Sequence, residues 1–374
     1  MIRKPMFKNR NSHSRVKKFA PVGIIFAILG LLLFAYTVRK AGVSQIIGGI
    51  QRLGAGFVLI LLLSGIRHVV RSIAWTKCFE PPYRLRFRDA LEGRLMGDAL
   101  GNVIPLASMA VSEPSKAAFV RHRVPLMAGL SALAIENIFY SLSVVLFIFS
   151  GMVALLLSFP LPRPLRYAAI ASLVIILIIA PLGYLIIRRK WKFLSGAFTW
   201  LGNRTGGRGW IEVAHARAQT LEERIYGFYE RNSARFLPIL GLEVCFHLAG
   251  VAEIYTTLLF ISETLAPTLL TAFILESVNR VIIVAFKFVP FRTGVDEYGS
   301  GVLAKVLGFG RATGVTLAIV RKARDIFWTT IGVLLIVRRG LSLRAAVHQT
   351  EDIADDIGME AAAAPTQPAR SVKW

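Results

Sequence analysis

The chain has 374 residues, of which 55% are hydrophobic, and its formal net charge is +23. The mean hydropathy of +0.57 argues against an ordinary soluble protein. A strongly basic chain can indicate nucleic acid binding, but here lysine and arginine crowd the segments beside long apolar runs, as the positive-inside rule of membrane proteins predicts. We therefore expect a membrane protein with no nucleic acid partner.

Several apolar runs are long enough to cross a bilayer, because a hydrocarbon core of ~30 Å takes ~20 residues of helix. The clearest lie at about Phe19–Val38, Ala55–Trp75, Leu126–Pro160, Leu165–Ile187, Phe236–Phe260, Pro267–Val289 and Gly314–Val337. They predict an all-α fold, a polytopic integral membrane helical bundle over residues 19–337. A basic cytoplasmic N-terminus (1–18) precedes it, and a disordered cytoplasmic tail (338–374) follows.

The distribution of positive charge predicts the topology. Basic clusters lie at Arg3–Lys18, Lys77–Arg88, Arg188–Lys192 and Arg338–Arg344. They place both termini and the long central loop in the cytoplasm, as the positive-inside rule requires. Within that loop, at about 188–235, apolar residues recur at helical spacing, which predicts an amphipathic helix at the membrane interface. A linker helix packed on the protein is an equal alternative.

Two short elements share one pattern. In each, an apolar stretch leads to a proline, and a glutamate follows seven or eight positions after the proline. The first runs from Pro105 to Glu113 and the second from Pro290 to Glu297. A broken backbone between apolar segments is tolerated only where it is buried in protein or lines a wet cavity. The predicted topology makes the two elements face opposite ways, which indicates inverted repeats with broken, re-entrant helices. Gly294 would allow unusual backbone angles at the second break.

Ionisable side chains near these breaks are candidate substrate-binding residues. In the first unit Glu113 and Lys116 belong to a polar cluster beside a predicted helix N-terminus, which would attract an anion. The alternative is that Glu113 and Lys116 are exposed to water in a cytoplasmic loop and bind no substrate. Glu136 and Asn137 lie inside an apolar run, where a charge costs ~2.5–3.5 kcal/mol on insertion scales.

Glu136 should therefore face the interior of the bundle and pair with a cation, for which Arg94, Lys116 or Arg321 could serve. A purely structural ion pair is the alternative for Glu136, and snorkelling to an interface is the alternative for Arg321. The complete set of candidate substrate-binding residues is Arg94, Glu113, Lys116, Glu136, Asn137, Arg280, Glu297 and Arg321.

Other intramembrane charges have a less definite role. Arg67 and Arg71 share a helical face, and either snorkelling or phosphate coordination explains them. Glu243 and Glu253 lie in an apolar run without an assigned partner.

The sequence contains no P-loop, no G-x-S-x-G nucleophile elbow and no His/Glu zinc motif. Its six histidines and two cysteines are scattered. We therefore expect no catalytic residues, no metal and no cofactor, and we do not expect an enzyme.

Three stretches carry a resemblance to a known family: Arg67–Phe79 with its Arg/Trp pattern, Gly93–Arg121 and Phe288–Arg324. They resemble the lysylphosphatidylglycerol synthase transmembrane-region family, which is also described as flippase-like. The likeness extends over about Phe19–Val337.

Two positions depart from the family's motifs. In the first motif Ser112 stands where the family has glycine before the glutamate. In the second, of the form Pro-Gly-x-x-Gly-x-x-Glu, Phe291 replaces the first glycine, whereas Gly294 and Glu297 match.

The resemblance implies flipping of a lipid or lipid-linked anionic substrate across a bacterial inner membrane. This chain would be a stand-alone member without the soluble aminoacyl-transferase domain, with membrane lipids and anionic headgroups as partners. Stand-alone members occur near glycan and hopanoid pathways, so several cargoes fit. The basic candidates would engage the headgroup, and the glutamates would balance charge or carry protons. Two alternatives are an integral-membrane transferase acting on a phospholipid or polyprenyl-phosphate, and a non-transporting scaffold of a lipid-modifying complex.

Overall fold

The computed structural model describes residues 31–103, 108–189, 209–263, 265–286 and 292–339, together with Leu29, Gly196, Thr199 and Val289. Within these residues the long regular elements are all helices, so the predicted all-α fold is confirmed. They are α1 (31–41), α2 (Val43–Leu53), α3 (Gly56–Lys77), α4 (Phe87–Val103), α5 (Ser108–Phe119), α6 (Leu126–Ser158), α7 (Arg163–Arg188), α8 (Gly209–Arg231), α9 (Ser233–Ile261), α10 (Leu269–Ala285), α11 (Val295–Val306) and α12 (Arg311–Arg338).

Four segments of the described chain are long and apolar enough to cross a membrane. They are Gly56–Lys77, Leu126–Ser158, Arg163–Gly183 and Ser233–Ile261. The prediction of a polytopic helical membrane protein is thereby confirmed. The run predicted at Pro267–Val289 forms only the 17 residues of α10, which rise about 26 Å and fall short of a full crossing. Most of the run at Phe19–Val38 lies outside the described residues.

Helices α3 and α9 run antiparallel along their length at the centre of the bundle. At one end Arg52 donates from Nη2 to the carbonyl oxygen of Ile261 (3.2 Å). At the other end Arg235 donates from Nη1 to the carbonyl oxygens of Lys77 (3.3 Å) and Phe79 (2.7 Å). These contacts define two ends of the molecule.

We call the end at Lys77 and Arg235 the basic end, and the end at Ile261 the opposite end. At the basic end, ion pairs join the α3–α4 loop to α8 and the start of α4 to the end of α12. These pairs are Glu80 with Arg231 (3.0 Å) and Glu92 with Arg339 (2.7 Å).

Helices α4 and α5 form a hairpin that starts and finishes at the basic end. Asp89 near the start of α4 pairs with Arg123, just beyond α5 (3.4 Å). Arg339 donates to the carbonyl oxygen of Phe119, the last residue of α5 (3.0 Å). The end of α4 at Val103 and the start of α5 at Ser108 therefore lie away from the basic end.

Helices α10 and α11 form the corresponding hairpin at the opposite end. Gly299 of α11 packs against Ile282 of α10, and Gly308, just after α11, lies against Leu265, just before α10. The first helix of each hairpin also packs on the other half of the chain, α4 on α12 and α10 on α6. The hairpins enter from opposite ends, as in an inverted repeat.

The prolines expected to break the helices, Pro105 and Pro290, lie outside the described residues. Beside the second of them, Gly294 precedes α11 with a φ of 83°. Arg292 has a φ of 49°. Positive φ is uncommon for any residue but glycine, so the backbone turns sharply before α11.

We predict that Gly97→Ala destabilises the first hairpin. A methyl group at Gly97 would lie 3.0 Å from the carbonyl oxygen of Ser112 and 3.1 Å from the backbone nitrogen of Lys116. Overpacking of this kind costs about 1–3 kcal/mol, so the melting temperature of the detergent-solubilised protein should fall. Gly241→Ala is the control, because no atom outside its own helix lies within 4 Å of the added methyl group. Equal melting temperatures for the two variants would contradict the close approach of α4 and α5.

Candidate functional site

Glu136 of α6 is fully buried and binds two arginines. Arg71 of α3 donates from Nε (2.8 Å) and Nη2 (2.9 Å), and Arg94 of α4 donates from Nη2 (3.0 Å). Arg94 is only 1% exposed. Paired, charge-assisted hydrogen bonds of this kind offset much of the cost of removing a carboxylate from water. The ion pairs therefore hold α3, α4 and α6 together.

Asn137 links this carboxylate to the first hairpin. Its Oδ1 accepts from Arg71 (3.2 Å), and its Nδ2 donates to Oε2 of Glu113 (2.9 Å). Oε1 of Glu113 accepts from Lys116 (2.7 Å), which also lies 2.8 Å from Asp98. Glu113 is thus part of the interior network and is not free in a loop. We call this set the first-unit cluster: Arg71, Arg94, Asp98, Glu113, Lys116, Glu136 and Asn137.

A second group of buried charges joins α3, α9, α10 and α12. Glu276 and Arg280 pair one turn apart on α10. Arg67 of α3 donates to Glu253 of α9 (3.1 Å) and lies 3.7 Å from Glu276. Arg324 of α12 pairs with the other carboxylate oxygen of Glu253. We call these five residues the second-unit cluster.

Phe246 of α9 lies between the two clusters. The Cζ atoms of Arg67, Arg280 and Arg71 lie 4.6, 5.0 and 5.7 Å from its ring centroid. Arg71 also lies 4.0 Å from the ring centroid of Tyr140. Cation–π contacts can stabilise desolvated guanidinium groups by about 2 kcal/mol or more. Arginines of both clusters therefore converge on one ring in the middle of the bundle.

Glu297 is fully buried at the start of α11. Its Oε2 accepts from the backbone nitrogen of Gly294 (2.7 Å). The other carboxylate oxygen pairs with Lys322 of α12. Glu297 thus holds the first turn of α11 and ties it to the neighbouring helix, a role that by itself is structural.

Arg321 of α12 has two unpaired nitrogens among the described residues, whereas the buried Arg94 and Arg280 have one each. It is 6% exposed, and its Nη1 donates to the hydroxyl of Ser300 (3.1 Å). Its Nε and Nη2 have no hydrogen-bond partner among the described residues. Buried N–H groups without acceptors are costly. Arg321 therefore has donors available for an anion.

The predicted site residues fall into three places. Arg94, Glu113, Lys116, Glu136 and Asn137 are together in the first-unit cluster, Arg280 is in the second, and Glu297 and Arg321 lie on α11 and α12. Of the partners expected for Glu136, Arg94 is found. Among the described residues, Lys116 and Arg321 have other contacts.

Sequence reasoning missed Arg71 as a partner of Glu136 and Arg67 as a partner of Glu253. Both arginines are engaged with carboxylates inside the bundle, which neither snorkelling nor phosphate coordination predicts. Their shared face on the apolar helix α3 indicates that they lie together, but not whether they reach an interface or a neighbouring helix. Glu243 remains without a hydrogen-bond partner among the residues described.

The fold and its charged interior define a class, a polytopic helical membrane protein with ionisable groups buried where its helices meet. A family model described as "Lysylphosphatidylglycerol synthase TM region" matches residues 21–332, nearly the whole chain. The chain belongs to that family, as the resemblance predicted. Neither the search of curated proteins nor the search of solved structures found a match.

We predict that Glu136→Gln strongly destabilises the protein. It would leave Arg71 and Arg94 buried without their carboxylate, and breaking such a pair costs about 3–5 kcal/mol. Denaturation in mixed detergent micelles would measure the loss. Glu80→Gln is the matched control, because the pair of Glu80 with Arg231 is partly exposed and such pairs contribute about 0–1 kcal/mol. Similar losses for both variants would show that the pairing of Glu136 is not structural.

Proposed function

We propose that this protein translocates a lipid or lipid-linked substrate with an anionic headgroup across the membrane, and that it does so without chemical change. The observation that carries the proposal is Arg321, a buried arginine with two donor nitrogens unpaired among the described residues. Membership of a family defined by a lipid synthase's transmembrane region supports a lipid-related function. Lipids of glycan and hopanoid pathways are candidate cargoes.

The location of Arg321 supports this role. Ser300 on α11 accepts its hydrogen bond, so the guanidinium lies against the second hairpin. In transporters with inverted repeats the substrate binds near the midplane, where discontinuous helices meet. A headgroup phosphate there would accept from the free Nε and Nη2 in a bidentate manner, for which the planar guanidinium is well suited.

The neighbouring ion pairs suggest how a headgroup could pass. Each arginine of the two clusters holds a carboxylate, so an arriving phosphate would exchange with Glu253 or Glu276 for the same guanidinium groups. Such an exchange leaves no guanidinium group without an anion, and Arg321, whose Nε and Nη2 are unpaired among the described residues, offsets the negative charge that the phosphate adds. The acyl chains would remain in lipid while only the headgroup passes through the helical bundle.

We further propose that the basic end faces the cytoplasm of a bacterial inner membrane. Exposed arginines gather there, among them Arg84, Arg86, Arg88, Arg121 and Arg338. This distribution follows the positive-inside rule. Both termini would then lie on the cytoplasmic side.

The test is translocation of fluorescent phosphatidylglycerol in proteoliposomes, followed by dithionite quenching of the outer leaflet. Arg321→Gln should slow translocation at least tenfold, because it removes the charge and the donor geometry. Arg321→Lys should retain part of the rate, since a lysine keeps the charge but not the planar fork. Arg338→Gln, at the exposed end of the same helix, is the control.

An unchanged rate in Arg321→Gln would contradict the proposed site. Mass spectrometry of the recovered lipid tests whether translocation occurs without chemical change. The lipid should keep its mass, and a new lipid product that depends on the protein would favour a transferase instead.

A further inference from the structure

A pocket at the basic end lies apart from the buried clusters. Its volume is about 570 Å³, within the range of about 300–1,000 Å³ that is usual for small-molecule sites. Four of the residues that line it are arginines: Arg86, Arg88, Arg123 and Arg339. They come from the start of α4, the α5–α6 link and the end of α12.

The pocket has an excess of positive charge. Besides the four arginines, its lining includes only two carboxylates, Asp89 and Glu92, together with His122. With the histidine neutral, the formal excess is two positive charges. An anion with two negative charges would balance the pocket.

The two carboxylates hold the guanidinium groups in place. Glu92 accepts from Nε of Arg88 (3.1 Å) with one oxygen and from Nη2 of Arg339 (2.7 Å) with the other. Asp89 lies 3.4 Å from Nε of Arg123. Arg339 is further fixed by its bond to the carbonyl oxygen of Phe119 (3.0 Å). Arginines fixed in this way lose less conformational freedom when a ligand binds.

Local backbone geometry adds to the attraction. The nitrogen of Ala90 donates to the carbonyl oxygen of Arg86 (3.0 Å), so Arg86 lies at the N-terminal boundary of α4. The 17 residues of that helix place the positive end of its dipole at the arginines. Guanidinium groups and a helix N-terminus both suit a phosphate group.

We propose that this pocket binds a phosphomonoester, a phosphate group that carries close to two negative charges at neutral pH. The group could belong to a lipid headgroup at the membrane surface or to a soluble phosphate compound. The ligand would bridge α4, the α5–α6 link and α12, and so connect the first hairpin to the last helix of the second unit. This binding does not depend on the proposed translocation.

The test compares binding of two lipids that differ in their phosphate. Purified protein in nanodiscs that contain phosphatidic acid, a phosphomonoester, would be compared by native mass spectrometry with protein in nanodiscs that contain phosphatidylglycerol, a phosphodiester. Binding of glycerol 3-phosphate to the protein in detergent, measured by calorimetry, is the soluble arm. Tight binding in the soluble arm assigns a soluble ligand, and binding of phosphatidic acid alone assigns a lipid.

The matched variants carry equal net charge. Arg86→Gln/Arg88→Gln removes two exposed arginines from the pocket, and Arg84→Gln/Arg121→Gln removes two exposed arginines that do not line it. The side chain of Arg88 is 84% exposed, so folding should be unaffected, which the melting temperature without ligand would verify. We expect the pocket pair to weaken binding of the phosphomonoester at least tenfold and the control pair to change it less than twofold.

Two results would overturn the proposal. Equal weakening by the two pairs of substitutions would show a diffuse attraction between a basic surface and anionic lipid. Equal affinity for phosphatidic acid and phosphatidylglycerol in the nanodiscs, with no binding of glycerol 3-phosphate, would also show a diffuse attraction to anionic lipid.

Discussion

Glu136 is buried between Arg71 and Arg94, where helices α3, α4 and α6 meet. A single charge in an apolar bundle is costly, and the cost is offset only if its partners reach it from neighbouring helices in fixed geometry. The pairing therefore determines how α3, α4 and α6 pack. Through Asn137 it also determines where the α5 arm of the first hairpin lies, because that residue bonds to Glu113.

The two halves of the chain pair their buried charges differently. In the first-unit cluster the central carboxylate, Glu136, is saturated by two arginines and the first hairpin is bonded to it through Asn137. In the second unit, Glu297 accepts a hydrogen bond from the backbone at the start of α11 and pairs with Lys322. Two donor nitrogens of Arg321 have no partner among the described residues. The two halves therefore differ in how their buried charges are paired, and we propose that the anion binds at the unpaired donors of Arg321 on α12, beside the second hairpin.

Much of the fold was predictable from the sequence, because the apolar runs at α3, α6, α7 and α9 are long and unambiguous. The inward orientation of Glu136 also followed from cost alone, whereas its partner Arg94 was only one of three candidates, beside Lys116 and Arg321. The pairing of Arg71 with Glu136 could not be predicted, because a long side chain can reach an interface or a neighbouring helix equally well. Only the antiparallel packing of the helices decides between these two positions. The short length of α10 was missed because hydropathy does not register where a helix ends: the apolar run continues to Val289, whereas the helix begins after the N-cap Thr268 and ends at Ala285, before the non-helical Phe286.

We propose that a substrate phosphate binds Arg321 inside the bundle, and a cryo-EM structure of the protein in nanodiscs rich in phosphatidylglycerol would show whether it does. We expect density for a headgroup between α11 and α12, with phosphate oxygens about 2.7–2.9 Å from Nε and Nη2, as charge-assisted hydrogen bonds require. Headgroup density confined to the outer surface, with both nitrogens of Arg321 bonded to protein acceptors, would contradict it.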